Sequence, residues 1–214
     1  IRKNLRLASR LLKDAGYEVK DSVLTGPDGK PLTVEFLLFE ASFKRIINPY
    51  IRNLKRLGIQ AYIRIVDSAN FKVRTDTFDF DVIVNRVVQP LTPGLEQRNY
   101  FGSEFADVKG SFNKGGISNP AVDALIEKVI SAKTRPQLVT SVRALDRVLM
   151  WNRFVVTQWY KGEHNIAYWN KFGRPEVSAK FDMGVIDTWW YDTEKAKMIE
   201  QGKAPPAPPG ALPP

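Results

Sequence analysis

The sequence predicts an α/β fold, and three features predict it. An apolar run, an amphipathic helical pattern and an alternating run follow one another between Leu32 and Val66. A strand, helix and strand in that order pair the strands in parallel and lay the helix over the sheet. A cluster of turn-forming residues, Gly26-Pro27-Asp28-Gly29, separates two strand-like runs near the start, and two capped helices are signalled in succession after Asn119.

Taken in order, Leu5, Ala8, Leu11, Leu12 and Ala15 recur at helical spacing and Gly16 supplies a stop, which predicts a helix over Lys3 to Ala15. Val19 to Leu24 and Leu32 to Phe39 then read as the two arms of a hairpin around the Gly-Pro-Asp-Gly turn. Phe43, Ile46, Ile47, Tyr50, Leu54 and Leu57 mark the next helix, with Pro49 as a late start or kink and Gly58 as its end. In Ile59 to Val66, Ile59, Ala61, Ile63 and Ile65 alternate as a half-buried strand does. Ser68 to Thr75 reads as a short helix and Phe80 to Val88 as a buried strand. From Gln89 to Asn119 periodicity disappears, and structureless stretches of that length are commonly functional loops.

Asn119-Pro120 offers a cap with proline at the first helical position, opening a helix to Ala132. Thr134 with Gln137 makes a capping-box pattern for a second, reaching about Met150. Phe154 to Tyr160, Ile166 to Trp169 and Val185 to Tyr191 are rich in aromatic and β-branched residues and read as strands, followed by a short helical stretch. Ala204 to Pro214, dominated by proline and alanine, reads as an extended, disordered tail. No internal repeat is present.

The 214 residues suit one large domain or one and a half ordinary ones, and 43% hydrophobic with 26% charged residues is ordinary for a globular chain. The net charge of +9 would attract anions, but no run of five like charges occurs, so the excess reads as a solvated surface. Without cysteine there is neither a disulfide frame nor a thiolate site. No apolar run reaches the ~20 residues that span a bilayer. The chain opens within a helical pattern and without methionine, which reads as the continuation of something longer.

Most catalytic chemistry is excluded. The single histidine, His164, has only Glu163 near it in sequence, too few ligands for zinc, and no Gly-x-Ser-x-Gly elbow accompanies it. Lys114-Gly115-Gly116 lacks the spacing of a phosphate-binding loop. Asp79 and Asp81 would share one strand face and bring two carboxylates together, although such residues more often cap a strand edge. Neither cofactor nor metal is expected, and the chain reads as a non-enzyme.

What remains is binding chemistry. Asn85, Arg86 and Gln89 close the strand that starts at Phe80, and Gln97 and Arg98 follow in the long loop. Open α/β sheets bind ligands beyond the carboxyl ends of their strands. The two arginines can hold a carboxylate or phosphate in a fork, unless they bridge to a neighbour such as Glu96, and the glutamines can donate and accept. Trp159 and Tyr160 are the aromatic candidates for a cleft wall, while Trp189, Trp190 and Tyr191 read as packing.

Three stretches together resemble the extracellular solute-binding proteins of the dipeptide and oligopeptide class that serve ABC importers. They are Ala8-x-x-Leu11-Leu12-x-x-Ala15-Gly16-Tyr17 with Gly29-Lys30-Pro31-Leu32; Asn53-Leu54-x-x-Leu57-Gly58-Ile59 with Phe78-Asp79-Phe80-Asp81; and Asn119-Pro120-Ala121-Val122-Asp123-Ala124-Leu125. Arg86, Gln89, Glu96-Gln97-Arg98 and Asp187-Thr188-Trp189-Trp190-Tyr191 resemble in particular the branch for microcin-C-like and other modified peptides. The resemblance implies the C-terminal lobe of a two-lobed periplasmic-binding-protein fold, with residues 1–165 as the second α/β lobe, 166–200 returning to the hinge and first lobe, and 201–214 as tail. It implies an N-terminal half elsewhere in the same protein, a periplasmic location, a peptide or small polar ligand captured by lobe closure, and an ABC permease as partner. Relatives of this class place an aspartate just beyond the strand equivalent to Phe80–Val88, against the peptide's ammonium group; here Val87-Val88-Gln89-Pro90-Leu91 holds no carboxylate. A basic nucleic-acid-binding module is the rival reading, and it would need Lys and Arg on one face beside stacking rings.

Overall fold

The computed structural model describes residues 1–160, 162, 165–177 and 184–207. They fall into two compact units, Ile1–Val156 and Thr157–Pro214. The first begins with α1 (Arg2–Asp14), followed by a hairpin of β1 (Glu18–Lys20) and β2 (Val23–Thr25). Its turn is Asp21-Ser22, with φ of 49° and 67°. Two positive φ values in a two-residue connection match the right-handed twist of the strands they join.

The expected pairing of Val19–Leu24 with Leu32–Phe39 is thereby corrected. The Gly26–Gly29 turn does form, with Gly29 N–H donating to the Gly26 carbonyl over 2.9 Å, but it leads only to a bridge between Thr25 and Pro31. Beyond it, β3 (Thr33–Leu38) enters a different sheet. An apolar run with both faces covered suits the middle of a parallel sheet better than the arm of an exposed hairpin.

That sheet has the order β4 (Gln60–Ile65), β3, β5 (Val82–Ile83), all parallel. α2 (Lys44–Lys55) connects β3 to β4 and α3 (Ser68–Asp76), capped by the Asp67 carboxylate, connects β4 to β5. The two crossovers run in opposite directions along the sheet, so right-handed connections place the two helices on opposite faces. Side chains agree. Phe36 and Leu38 pack with Ile47 and Ile51 of α2, whereas Glu35 pairs with Arg74 of α3 and Phe39 meets Phe71 at 4.8 Å between ring centroids. α2 runs through Pro49 rather than starting at it, because the burial of Ile47 and Ile51 outweighs one lost hydrogen bond.

A second cluster in the same unit joins α5 (Pro120–Ile130) and α6 (Arg135–Asn152) through Val122, Ile126, Val129, Leu138 and Leu145. Both caps anticipated from sequence are made: Asn119 accepts from Ala121 and Val122 N–H, and Thr134 from Gln137 N–H. The stretch before them is not structureless, since it holds α4 (Glu96–Phe101) and a short 3₁₀ turn at Ser103–Phe105.

In the second unit β6 (Phe172–Gly173) pairs antiparallel with β7 (Trp190–Tyr191), between which lies the single-turn helix α7 (Val185–Thr188). α8 (Thr193–Glu200) follows, capped by Asp192. The expected strands at Phe154–Tyr160 and Ile166–Trp169 are absent, and Val185–Tyr191 is strand only at its end. Aromatic and β-branched content favours a pleated surface only where a neighbouring edge and a buried face exist; Val155, Val156, Trp159 and Tyr160 are instead exposed. His164 and residues 208–214 lie outside the described residues.

Candidate functional site

β5 ends at Ile83, five residues before its expected end, because β3 pairs with it only at Phe36 and Leu37. The chain then leaves the carboxyl end of the sheet as an exposed segment without regular secondary structure from Asn85 to Pro90. Among the described residues no hydrogen bond engages the backbone of Val87 or Val88, and both side chains are exposed.

The polar candidates along this segment are held in one sense. Asn85 accepts the Arg86 backbone N–H on Oδ1 at 2.9 Å, which leaves its amide NH₂ to face outward. Gln89 accepts from Gln97 Nε2 on its Oε1 at 2.6 Å and likewise keeps its own NH₂. Arg86 is exposed and forms no ion pair among the described residues. Amide acceptors are engaged within the protein while amide and guanidinium donors stay available, so the segment offers donors to whatever lies against it.

Gln97, 4% exposed on α4, organises this arrangement by donating also to Glu96 Oε1 at 3.0 Å. Burial pushes the Glu96 carboxyl up, but the Gly94 N–H and the Gln97 amide outweigh it and hold the group below the usual carboxylate range. The structure thus brings Gln89 and Gln97 together, two residues the sequence singled out separately. Arg98 faces elsewhere. Its Nε and Nη2 fork onto Glu127 of α5 at 2.8 and 2.7 Å, which lowers the carboxyl pKa and raises that of the guanidinium. A partner 29 residues away was not visible in the sequence.

Beside the segment runs a groove of about 360 Å³ lined by Pro90, Leu91, Leu138, Val139, Val142 and Arg143. Its size is within the range of small-ligand pockets. A smaller depression of about 140 Å³ lies over the Arg98–Glu127 pair, whose charges are already matched.

Two buried polar residues that sequence reasoning missed hold this frame. Asn113, fully buried, donates Nδ2 to the Gly102 and Ile117 carbonyls at 3.0 and 2.9 Å and accepts Ile117 N–H at 2.9 Å. It closes the loop that follows α4. Glu35, in the central strand, takes Tyr62 Oη, Arg64 and Arg74. Burial pushes its carboxyl up and the two guanidiniums more than reverse the effect. A lone carboxylate inside the apolar run Thr33–Leu38 was the available signal, since a buried charge demands partners.

Asp79 and Asp81 belong to the same frame. Asp79 binds Arg74 at 2.8 Å, and Asp81 accepts Glu35 N–H at 2.8 Å, so both carboxylates close the sheet edge. Among the described residues no group of three or more His, Cys, Asp and Glu side chains gathers as a metal would need, and no helix is long and apolar enough to cross a membrane. Trp159 and Tyr160 are 60% and 89% exposed in the second unit.

No family model matches the chain. Over 190 residues it is 46% identical to the protein named probable peptide-binding protein YejA of Agrobacterium fabrum, covering 88% of this chain and 31% of that one. It is 33% identical over 189 residues to the peptidoglycan-binding protein YepA of the same organism, with 88% and 31% covered. The chain therefore spans about a third of the length of the relatives it matches. Among solved structures, the oligopeptide-binding protein AppA of Bacillus subtilis, in complex with a nonapeptide, superposes with a TM-score of 0.60 at 21% identity over 70% of this chain and 30% of that one. The chain is thus homologous to a portion of these binding proteins, and its fold is the mixed α/β fold of the oligopeptide-binding class of extracellular solute-binding proteins.

Proposed function

We propose that this chain supplies one ligand-contacting lobe of the substrate-binding component of an ABC importer, which captures a peptide or peptide-like solute in the periplasm and delivers it to a permease. Residues 1–165 form that lobe, the strands and helices after it return towards the other, and the lobes close over ligand by a hinge. Arg86, Gln89 and Asn85 orient the ligand directly, Gln97 holds Gln89, and Arg98 braces α4 against α5 through Glu127.

The observation that carries the reading is the exit of β5: an exposed, irregular segment in which, among the described residues, no hydrogen bond engages the Val87 or Val88 backbone, flanked by donors and a largely apolar groove. Free backbone N–H and C=O groups on an exposed segment are what an extended peptide pairs with. The donors decide the kind of peptide. With Arg86 uncompensated and no carboxylate between Val87 and Leu91, the segment favours ligand carboxylates and carbonyls over a free ammonium group. A relative named for binding peptidoglycan fits this preference, since the stem peptides of peptidoglycan are acidic.

Titration calorimetry of the full-length protein tests the proposal with a peptidoglycan stem peptide and its carboxyl-amidated form. The acidic form should bind about tenfold more tightly, and Arg86→Gln should erase most of that difference, as expected for a charge-assisted contact. Equal binding of both forms would remove the donor argument; binding of neither would remove the peptide reading.

A further inference from the structure

The net charge is not distributed as the linear sequence suggests. α1 carries Arg2, Lys3, Arg6, Arg10 and Lys13, and α2 with its C-cap carries Lys44, Arg45, Arg52, Lys55 and Arg56. All ten are exposed. Asp14 is the one acidic residue on either helix, so of 32 Lys and Arg and 23 Asp and Glu the rest of the chain holds about 22 of each sign and is neutral. The entire excess of +9 belongs to these two helices.

Geometry puts the charges on one layer. At about 100° per residue the five cations of α1 fall within roughly one third of its circumference, and the five of α2 likewise within about a third. Both helices face the same apolar cluster from the other side: Leu12 of α1 packs against it, and Ile47 and Ile51 of α2 are part of it. On each helix the cations therefore stand on the side turned away from that cluster, towards solvent. Among the described residues none of the ten pairs with a carboxylate, and only Arg56 reaches a side chain, Asn53 Oδ1 at 3.3 Å. Elsewhere in the unit several cations are matched, Arg64 and Arg74 with Glu35, Lys114 with Asp76 and Arg98 with Glu127, while Arg86 and the cations of α5 and α6 form no ion pair among the described residues.

We infer that this layer is an adhesion surface for anionic phospholipid, which holds the protein against a membrane. A small anion needs a concave site with converging donors, and these cations diverge from convex helices. A phospholipid surface needs only many mobile cations on one side, each contributing roughly a fivefold gain in partitioning near anionic headgroups. Leu7 and Leu11, 45% and 51% exposed on α1, flank the cationic arc and supply the apolar contact that interfacial helices add to charge. The inference is independent of the peptide reading, because none of the ten cations is among the residues proposed to contact ligand at the β5 exit.

Co-sedimentation of the full-length protein with vesicles of phosphatidylcholine alone, and with about a third phosphatidylglycerol, tests it. Wild type should bind only the anionic vesicles, and binding should fall as salt rises. Arg6→Gln with Arg10→Gln should weaken partitioning about 30-fold, as should Arg52→Gln with Lys55→Gln. Lys128→Gln with Lys133→Gln, which removes the same net charge from α5 and its exit, should change it less than about threefold. Circular dichroism and ligand titration confirm that each variant is folded. Equal losses in all three pairs would reduce the effect to net charge and overturn the inference. So would failure of wild type to bind anionic vesicles, or retention of single-stranded DNA at salt that releases the vesicles, which would identify a nucleic acid as the partner of the layer.

Discussion

Replacing Asn113 by alanine isolates the residue that holds the loop between α4 and α5. The side chain is fully buried and satisfies two carbonyls and one N–H, at 3.0, 2.9 and 2.9 Å, all on the backbone of Gly102 and Ile117. Removal leaves two buried groups, the Ile117 N–H and carbonyl, without partners and takes one of two donors from the Gly102 carbonyl, which keeps Phe105 N–H. At about 1–3 kcal/mol for each orphaned group, reduced where water enters the small void, the loss is about 2–4 kcal/mol. Because Gly102 ends α4 and Ile117 belongs to the α5–α6 cluster, the damage is local to the stretch between them. Hydrogen exchange of the full-length protein reads this directly: about 3 kcal/mol corresponds to roughly 150-fold faster exchange if the segment opens as a local unit. Ser111→Ala removes one bond, Oγ to the Phe105 carbonyl at 2.9 Å, and should accelerate the same peptides only about fivefold. Acceleration under fivefold for Asn113→Ala, or acceleration spread equally into β3 and α2, would refute the assignment of this asparagine as the local clasp.

Other outcomes follow from the same contacts. Leu37→Ala empties a fully buried position in the central strand and should cost about 2–5 kcal/mol, read as a lower thermal midpoint. Gly58→Ala forces a β-carbon to 2.7 Å from Leu24 N at φ of 84°, where Leu24 N–H also donates to the Gly58 carbonyl; a loss above about 1 kcal/mol is expected, and a neutral effect would mean the turn relaxes freely. Glu35 has a folded pKa below its usual value, so its contribution is present above the unfolded pKa and lost as pH falls through the folded one. Acid unfolding of wild type should therefore steepen below about pH 4.5, and Glu35→Gln should be less stable at neutral pH but flatter across that acidic window.

Elements that depend on neighbours in sequence were legible. The Leu5–Ala15 periodicity, the Asn119-Pro120 cap and the Thr134–Gln137 pair each specify a helix with information inside a dozen residues, and the alternation Ile59–Ile65 specifies a strand in the same way. Elements that depend on distant partners were not. Phe80–Val88 reads as a full strand, yet only Val82 and Ile83 pair, and their partners Phe36 and Leu37 lie 46 residues earlier in the chain. Asp21-Ser22 makes a tight turn without the Asn-Gly or Asp-Gly signature, while the louder Gly-Pro-Asp-Gly cluster makes only a lesser one. Charge shows the same division. Ten cations, standing singly or in adjacent pairs, form no block of five in the linear chain, and only the helical rise and twist gather those of each helix on one face.

The binding candidates show why an inventory of residue types stops short of a ligand. Asn, Gln and Arg after a strand advertise both donors and acceptors, and the sequence leaves that ambiguity open. The fold removes it by subtraction. Asn85 Oδ1 is engaged by the next backbone N–H, Gln89 Oε1 by Gln97, and the Arg98 fork by Glu127, so the donors of Asn85, Arg86 and Gln89 are what remains. A carboxylate-bearing ligand completes such a set, whereas an ammonium group would find no side-chain acceptor there and only backbone carbonyls to accept its hydrogen bonds. If Gln97→Ala frees the Gln89 amide to turn over, the exposed segment regains an acceptor, and discrimination between acidic and amidated peptides should shrink, alongside a loss of about 1–3 kcal/mol from the buried amide and its two hydrogen bonds. Unchanged discrimination in that variant would mean that the Gln89–Gln97 bond only packs the loop and that Arg86 alone selects the charge.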